Sequence, residues 1–411
     1  MLTALEQGVK GGRWFSLIDK VWKLENLRAA WTRVRANAGS SGVDGQTIAD
    51  YARQLEQELT CLQAHLRRDR YVPQPVRRVW LPKPGRPEKR PLGVPTVRDR
   101  VVQTALRQVL EPIFEQTFAE HSYGFRPGRG CKDALRVVDR WLQEGYTWVV
   151  DADLQGYFDS IPHDRLMARV AERVADGRLL ALVRGYLTAR VMDGLAQWTP
   201  EAGTPQGAVI SPLLANIYLN PLDHLLAGQG IRMVRYADDF VILCRSRADA
   251  EQALSVVQSW VQAEALCLHP EKTRIVDATQ PGGFDFLGYH FERARKWPRR
   301  KSEQKLRDTV RSLTPRCNGH SLATIIARLN PVLRGWFGYF KHSCRTTFPS
   351  LDGWVRRRLR AILCKRHRLP AWHMGESHRR WPNAYFAAHG LFSLAAAHRE
   401  ACLLLRLQEP H

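Results

Sequence analysis

The stretch Tyr236-Ala237-Asp238-Asp239 organises the chain, because it places two adjacent carboxylates between two strand-like runs, residues 231–235 and 240–243. This pattern predicts a β-hairpin that carries both acids at its turn. Adjacent carboxylates repel each other, so a fold that keeps them together is expected to bind a cation, and Mg²⁺ suits oxygen ligands. Taken alone, however, an Asp-Asp pair is more typical of an ordinary turn.

A second acidic stretch lies upstream, at residues 148–159. An apolar run from Trp148 to Val150 predicts a strand that ends in Asp151 and Asp153 and turns at Gly156. The two acids are two residues apart, so both point to the same face of the strand. Their spacing alone does not choose between them, but it supplies a third carboxylate for the metal site.

Composition favours a polyanionic partner for this chain of 411 residues, which is long enough for several domains. Lys and Arg number 62 and Asp and Glu number 40, a net charge of +22 that predicts nucleic-acid binding sensitive to salt. No apolar run reaches the length of a membrane span, and the N-terminus lacks a secretory pattern. We therefore expect a soluble cytoplasmic protein without a membrane partner. The eight cysteines form no Cys-x-x-Cys pair, so neither a zinc site nor a disulfide framework is indicated.

Both acidic stretches, with three others in the same chain order, resemble the motifs of reverse transcriptases encoded by bacterial group II introns. The three others are Ser122-Tyr123-Gly124-Phe125-Arg126-Pro127-Gly128, Gly203-Thr204-Pro205-Gln206-Gly207 with Ser211-Pro212-Leu213-Leu214-Ala215-Asn216, and Phe286-Leu287-Gly288-Tyr289. The resemblance extends from about Leu24 to the C-terminus. It implies an α+β fold: a right-hand polymerase with fingers and an antiparallel-sheet palm, plus an α-helical thumb.

The resemblance also implies four regions. Residues 1–72 form an N-terminal extension with a template-side loop, although that loop is equally well explained as a surface connection between helices. Residues 73–292 form the fingers and palm, 293–371 the α-helical thumb or maturase domain, and 372–411 a small DNA-binding tail. The expected class is the compact one without an endonuclease module. Residues 293–380 contain 23 Lys and Arg against four acids, which fits a thumb that clasps nucleic acid.

Two prolines mark expected helix boundaries. Pro112 is expected to end the apolar helix that begins near residue 98, because proline lacks a backbone N–H. Pro331 interrupts a helical pattern over residues 322–340 and is expected either to kink one helix or to start a second.

The metal ligands follow from the resemblance. The family places one ligand five residues before an aromatic residue, here Phe158, so Asp153 joins Asp238 and Asp239 in holding two Mg²⁺ ions. Asp151 is then a supporting or solvated acid. Gln155 stands where the family usually has Lys or Arg, which puts a local salt bridge in doubt.

The resemblance further assigns residues to the incoming deoxynucleotide. Lys83 and Arg90 would hold its phosphates, Gln206 would lie near it, and Lys272 would protonate the leaving pyrophosphate. Phe158 would collide with a ribose 2′-hydroxyl and so select deoxynucleotides. The alternatives are a solvated charged loop for Lys83 and Arg90, and a loop that merely starts a helix for Gln206. For Lys272 the alternative is an ion-paired surface lysine, and for Phe158 it is a core aromatic residue.

Nucleic-acid contacts are assigned in the same way. Arg126 and Arg129 would contact phosphates, unless their loop is only a turn. Gly288 lies in a hairpin that would grip the primer end. Arg356, Arg357 and Arg358 would bind the duplex of RNA template and primer, or intron RNA.

The implied function is that of an RNA-directed DNA polymerase that also binds its group II intron RNA, assists splicing, and copies the intron into a DNA target during retrohoming. It would work in the bacterial cytoplasm, associated with the nucleoid. Three alternatives remain. They are a host-recruited reverse transcriptase of phage defence or CRISPR spacer acquisition, a non-catalytic RNA-binding splicing cofactor, and an RNA-templated RNA polymerase, against which Phe158 argues.

Overall fold

The structure, a computed structural model, describes residues 12–82, 89–369 and 374–408. The chain divides into two compact units, Met1–Trp141 with Val150–Ile275 and Leu142–Val149 with Val276–His411. In the described residues, no helix is long and apolar enough to cross a membrane.

The secondary structure is mixed, as the predicted α+β class requires. The strands are β1 Val76–Pro82, β2 Lys89–Val94, β3 Trp148–Asp153, β4 Val191–Asp193, β5 Ala196–Trp198, β6 Arg232–Tyr236, β7 Asp239–Cys244, β8 Arg274–Asp277, β9 Phe284–Phe286, β10 Tyr289–Glu292 and β11 Arg295–Pro298. The helices of the first unit are α1 Ile18–Val21, α2 Leu24–Asn37, α3 Ile48–Arg53, α4 Leu55–Arg67, α5 Val97–Glu115, α6 Cys131–Gln143 (which ends in the second unit), α7 Tyr157–Ser160, α8 His163–Ala171, α9 Gly177–Leu187, α10 Ser211–Gly228 and α11 Arg247–Ala263. Those of the second unit are α12 Arg300–Leu313, α13 Leu322–Phe340, α14 Thr347–Arg366, α15 Met374–Arg380, α16 Asn383–Ala388 and α17 Leu394–Gln408.

Three sheets organise these elements. The first is a four-stranded sheet in the order β2-β1-β4-β5, in which β1 pairs antiparallel with β2 and parallel with β4. The second has the order β6-β7-β3-β8 and contains residues of both acidic stretches. A third sheet, β11-β10-β9, is antiparallel throughout.

Helix α10 fills the centre of the first unit. Its apolar residues lie on all sides rather than on one stripe, which is typical of a buried helix. The buried set includes Leu213, Leu214, Ile217, Tyr218, Leu219, Leu222 and Leu226. Because the buried helix α10 begins at Ser211, it fixes the position at which the preceding loop, residues 203–210, ends.

The expected boundary at Pro112 is wrong, since α5 continues through this proline to Glu115. The buried side chains of Ile113 and Phe114 extend the packed face of the helix beyond it. Their burial offsets the backbone hydrogen bond that proline cannot donate.

An apolar core in the second unit is formed mainly by α12, α13 and α14. Pro331 lies inside a single continuous helix, so of the two alternatives the start of a second helix is excluded. Three side chains from residues beyond 374 belong to the same core, namely Trp381, Phe386 and Leu394. Asp352 of α14 also accepts hydrogen bonds from the backbone N–H groups of Leu394 and Ala395 at the start of α17. The segment predicted as a DNA-binding tail therefore packs on the predicted thumb.

Candidate active site

The Asp238-Asp239 hairpin has the predicted form. Strands β6 and β7 pair in antiparallel register, with Tyr236 opposite Asp239, so the turn consists of Ala237 and Asp238. Ala237 has a φ of 60°, a left-handed conformation that is uncommon for a residue with a Cβ atom. A Cβ atom added to Gly124 would lie 2.3 Å from the backbone nitrogen of Ala237, so this site requires glycine. The Ser122–Gly128 motif thus packs directly against the acidic turn.

Asp153 and Asp238 lie within electrostatic reach of each other. Burial raises the pKa of Asp238, and the negative charge of Asp153 raises it further. The backbone of Asp238 and the guanidinium groups of Arg90 and Arg235 oppose this shift. The fold therefore brings an acid from each of the two predicted motifs together with Arg90 from strand β2.

Asp151 and Asp153 have different ion-pair partners. The Lys272 ammonium pairs with the Asp153 carboxylate, and the Arg274 guanidinium lies 3.2 Å from Asp151 Oδ2. The backbone at Asp153 is held from the same segment, since His269 N donates to its carbonyl at 2.7 Å. No group of three or more His, Cys, Asp and Glu side chains in the described residues has the arrangement of a metal site. The donor chemistry nevertheless suits a hard divalent cation, because the side chains are carboxylates and one of them is destabilised by another.

The loop before α10 is joined to the segment that carries Phe158. Thr204 N donates to the Phe158 carbonyl at 2.6 Å, and Gly203 N donates to the Ile161 carbonyl at 2.8 Å. Gly203 has a φ of 89°, and a Cβ atom there would lie 2.8 Å from the backbone of Asp159. The Phe158 ring packs edge-on against the buried ring of Tyr157 with centroids 5.5 Å apart. This backing holds the half-buried Phe158 ring in place.

Gln206 lies between Arg90 and Asp159. Arg90 Nε donates to Gln206 Oε1 at 2.9 Å, and Gln206 Nε2 donates to Asp159 Oδ2 at 3.4 Å. Gly93 N of strand β2 also donates to the Gln206 carbonyl at 2.6 Å. Burial raises the pKa of Asp159, while Arg78 and Arg90 lower it in part. A pocket of about 630 Å³ opens beside these groups, lined also by Arg78 and Trp198.

Lys83, the other residue predicted to hold phosphates, lies outside the described residues. The predicted phosphate contact of Arg126 does not agree with its surroundings. Its side chain is 3% exposed, and its guanidinium binds Glu115 and the carbonyls of Ala119 and Ser122. All three nitrogens of the guanidinium are therefore engaged inside the protein. Arg129 is half-buried and donates to the Glu120 carbonyl.

The second unit contains the remaining predicted contacts. Gly288 is the second residue of the turn between β9 and β10, with a φ of 84°, and its carbonyl accepts from Arg299 N at 2.9 Å. Of the three arginines predicted in α14, Arg357 is exposed, while Arg356 and Arg358 are half-buried. Arg358 Nε donates to Thr314 Oγ1 at 2.7 Å and its Nη2 donates to the Thr314 carbonyl at 2.7 Å. Arg358 therefore connects α14 to the end of α12.

Trp354 is surrounded by three arginines, of which the sequence analysis singled out only Arg358. Arg307 lies 4.9 Å, Arg311 5.7 Å and Arg358 5.9 Å from the centre of its ring. Cations stack favourably on an indole ring. Arg307 and Arg311 are four residues apart on α12, and this spacing was the available signal that both lie on one face of the helix.

Three further residues near the acidic turn were missed. Phe125 is 45% exposed and lies beside Tyr236, with ring centroids 6.4 Å apart. Arg235 and Asp223 form a fully buried ion pair beneath the turn. An arginine directly after the apolar residues Met233 and Val234 of strand β6 was the available signal for this pair, because a buried charge requires a partner.

The sequence of this chain is similar to known proteins in both of its units. Residues 81–291 match the family described as reverse transcriptase (RNA-dependent DNA polymerase), and residues 303–381 match the group II intron, maturase-specific domain. Protein YkfC of Escherichia coli (strain K12) is 34% identical over 332 residues, covering 70% of this chain and 84% of YkfC. The group II intron-encoded protein LtrA of Lactococcus lactis subsp. cremoris is 36% identical over 196 residues, covering 47% of this chain but only 32% of LtrA. A solved structure of telomerase from Candida albicans has a TM-score of 0.44 and 13% identity, covering 73% of this chain and 61% of that one. The chain therefore belongs to the reverse transcriptase family, as an RNA-directed DNA polymerase that carries a group II intron maturase-specific domain.

Proposed function

We propose that Asp153, Asp238 and Asp239 hold two Mg²⁺ ions at which deoxynucleotides are joined to a primer 3′-hydroxyl. The observation that carries this proposal is that the Asp153 carboxylate, from a separate motif, lies close enough to Asp238 for its negative charge to raise the pKa of Asp238. Divalent metals are general to the family; the choice of Mg²⁺ rests on its preference for carboxylate oxygens together with substrate phosphates. When bound, the two ions supply activation of the attacking hydroxyl and neutralisation of the leaving pyrophosphate.

The residues around these acids would bind and orient the nucleotide. Arg90 would contact its phosphates with a planar fork of N–H donors, as would Lys83 with its ammonium. Gln206, whose amide is held by Arg90, would lie against the nucleotide. Phe158, backed by Tyr157, would exclude the 2′-hydroxyl of a ribonucleotide. Lys272, whose ammonium is paired with Asp153, would protonate the departing pyrophosphate.

We further propose that the second unit binds the duplex of RNA template and primer, and group II intron RNA during splicing and insertion into a DNA target. This second proposal is supported by the excess of Lys and Arg in residues 293–380 and by the match to the maturase-specific domain. Arg357 is exposed on α14, and Arg307 and Arg311 surround Trp354. Arginines at a protein surface suit a phosphate backbone.

The deciding experiment is primer extension on an RNA template with deoxynucleotides and Mg²⁺, for the wild type and Asp238→Ala. We expect synthesis by the wild type only, with RNA binding retained by both proteins. Synthesis by Asp238→Ala would contradict the assignment of the acids. If the wild type binds RNA and supports splicing without synthesis, the splicing-cofactor alternative takes the place of this proposal.

A further inference from the structure

We infer that Arg235 is a positioning residue that fixes the acidic turn for metal binding. This inference rests on the proposed role of Asp238 and Asp239 in holding the metal. Arg235 is the last residue but one of strand β6, and its side chain is 0% exposed. It therefore makes its contacts entirely inside the protein, beneath the turn.

Two acceptors on helix α10 hold the guanidinium of Arg235. Its Nε donates to Asp223 Oδ1 at 2.7 Å and its Nη2 donates to Asp223 Oδ2, so the pair is bidentate. Its Nη1 donates to Asn216 Oδ1 at 3.0 Å. Asp223 is itself 3% exposed in its side chain. The guanidinium plane is thus fixed by a central buried helix, and a bidentate pair restricts its orientation more than a single bond would.

From this fixed position the guanidinium reaches the turn. Arg235 Nη1 also donates to the Ala237 carbonyl at 2.9 Å. Ala237 is the left-handed residue immediately before Asp238. A hydrogen bond to this carbonyl holds the peptide that links Ala237 to Asp238, and so restricts the direction in which both acids project.

The same network includes the loop that packs against the turn. Asn216 Nδ2 donates to the Gly124 carbonyl at 2.7 Å, and Gly124 is in close contact with Ala237. The backbone of Arg235 adds two bonds to this loop, because Tyr123 N donates to its carbonyl at 2.8 Å and its N donates to the His121 carbonyl at 3.0 Å. Arg235 therefore ties α10, the loop of residues 121–124 and the acidic turn into one rigid set.

A buried ion pair by itself is weak evidence of a positioning role, because such a pair can serve structure alone. The hydrogen bond from Arg235 to the Ala237 carbonyl distinguishes a positioning role from a purely structural one, because it reaches the acidic turn itself. Replacement of both charges by apolar residues of similar size is often neutral for stability. The double variant Arg235→Met with Asp223→Leu therefore removes the bond to the turn while leaving a packed interior.

The experiment measures Mn²⁺ binding by the loss of the free-ion electron paramagnetic resonance signal. The full chain is bound to an RNA template with a chain-terminated primer, and the signal of the duplex alone is subtracted. We expect the double variant to melt within a few degrees of the wild type, to bind Mn²⁺ about tenfold more weakly, and to lose kcat with little change in the KM for deoxynucleotides. Arg107→Met with Glu111→Leu, which removes an ion pair on α5, is the matched control and should match the wild type.

Asp238→Asn separates this inference from the proposed function. If Asp238→Asn loses Mn²⁺ binding but the folded double variant binds as the wild type does, the positioning role is wrong and the metal site stands. If Asp238→Asn also binds normally, the metal assignment fails and the inference fails with it. Should the double variant not fold, Arg235→Lys keeps the charge opposite Asp223 without the fork. Wild-type Mn²⁺ affinity in folded Arg235→Lys would equally overturn the inference.

Discussion

Arg90 Nε donates a hydrogen bond of 2.9 Å to Gln206 Oε1, and this bond joins strand β2 to the loop before helix α10. Both residues are proposed to contact the incoming nucleotide. We predict that Gln206→Ala raises the KM for deoxynucleotides about tenfold, because a hydrogen bond to a charged group contributes roughly 1.5–3 kcal/mol. Steady-state kinetics on a double-mutant cycle with Arg90→Ala would measure the coupling. Strictly additive effects of the two changes would indicate that the bond does not act during catalysis.

The Phe158 ring rests against Tyr157, and the backbone carbonyl of Phe158 accepts a hydrogen bond from Thr204 N. We predict that Phe158→Ala lowers discrimination against ribonucleotides by at least about tenfold, since the side chain that blocks the 2′-hydroxyl is removed. Phe158→Tyr keeps the ring and should retain the discrimination. The measurement is the ratio of kcat/KM for a deoxynucleotide to that for its ribonucleotide. An unchanged ratio in Phe158→Ala would assign the ring to the core alone.

Asp153 and Asp151 share one face of β3 but pair with different cations, Lys272 and Arg274. We predict that Asp153→Asn reduces primer extension by about a thousandfold or more, because a metal ligand is lost. Asp151→Asn should cost less than about tenfold, since Asp151 is proposed only to support the strand. Single-turnover extension measures both. A larger loss in Asp151→Asn than in Asp153→Asn would reverse the assignment of the ligand.

Arg357 and Arg358 are neighbours in sequence but differ in their surroundings. Arg357 is exposed, whereas Arg358 donates two hydrogen bonds to Thr314, which is buried. We predict that Arg357→Ala weakens RNA binding and lowers the slope of log K against log salt by about one, as the loss of one phosphate contact requires. Arg358→Ala should instead lower the melting temperature. Binding isotherms at several salt concentrations, with thermal melts of both variants, test this contrast. Equal salt slopes for the wild type and Arg357→Ala would contradict the contact.

Asp176 gives the first unit a pH-dependent bond between distant segments. Its carboxylate accepts from Leu17 N at 2.7 Å, Ile18 N at 2.8 Å, and from Arg178 N and Leu179 N at 3.1 Å. Burial raises the pKa of Asp176, but the four backbone donors more than offset this effect, so its pKa lies below the usual value. A lowered pKa stabilises the fold above the ordinary pKa of aspartate, about 3.9, and this stabilisation is lost as the pH falls through the folded-state pKa.

We therefore predict that Asp176→Asn melts at a lower temperature than the wild type at neutral pH, with a loss of roughly 1–3 kcal/mol. The difference should stay constant above about pH 5 and shrink below about pH 4. Thermal melts between pH 3 and 8 measure it. Asp164→Asn, which removes an exposed partner of Arg184, serves as the control and should not change the melting temperature. A gap that grows on acidification would contradict the sign of the pKa shift.

The sequence by itself determined those strands and turns that depend on residues close together in the chain. The strand-like runs on either side of Asp238-Asp239 predicted the hairpin, and the apolar run before Asp151 predicted strand β3. Both predictions depend on short runs of residues that are visible locally in the sequence. The order of the motifs was enough to predict the α+β polymerase class and the family. A local signal failed at Pro112, where burial of neighbouring side chains outweighs the preference of proline for a helix end.

Only the tertiary structure decided which polar side chains face substrate and which serve the interior. Arg126 looked like a phosphate ligand in the sequence, yet it is engaged by Glu115. Arg235 looked like an ordinary strand residue, yet it connects Asp223 to the acidic turn. The role of a charged side chain depends on the polar group that lies nearest to it in space. Because that partner can be eleven or twelve residues away, as in these pairs, or 116 residues away, as for Arg90 and Gln206, no local pattern in the sequence reveals it.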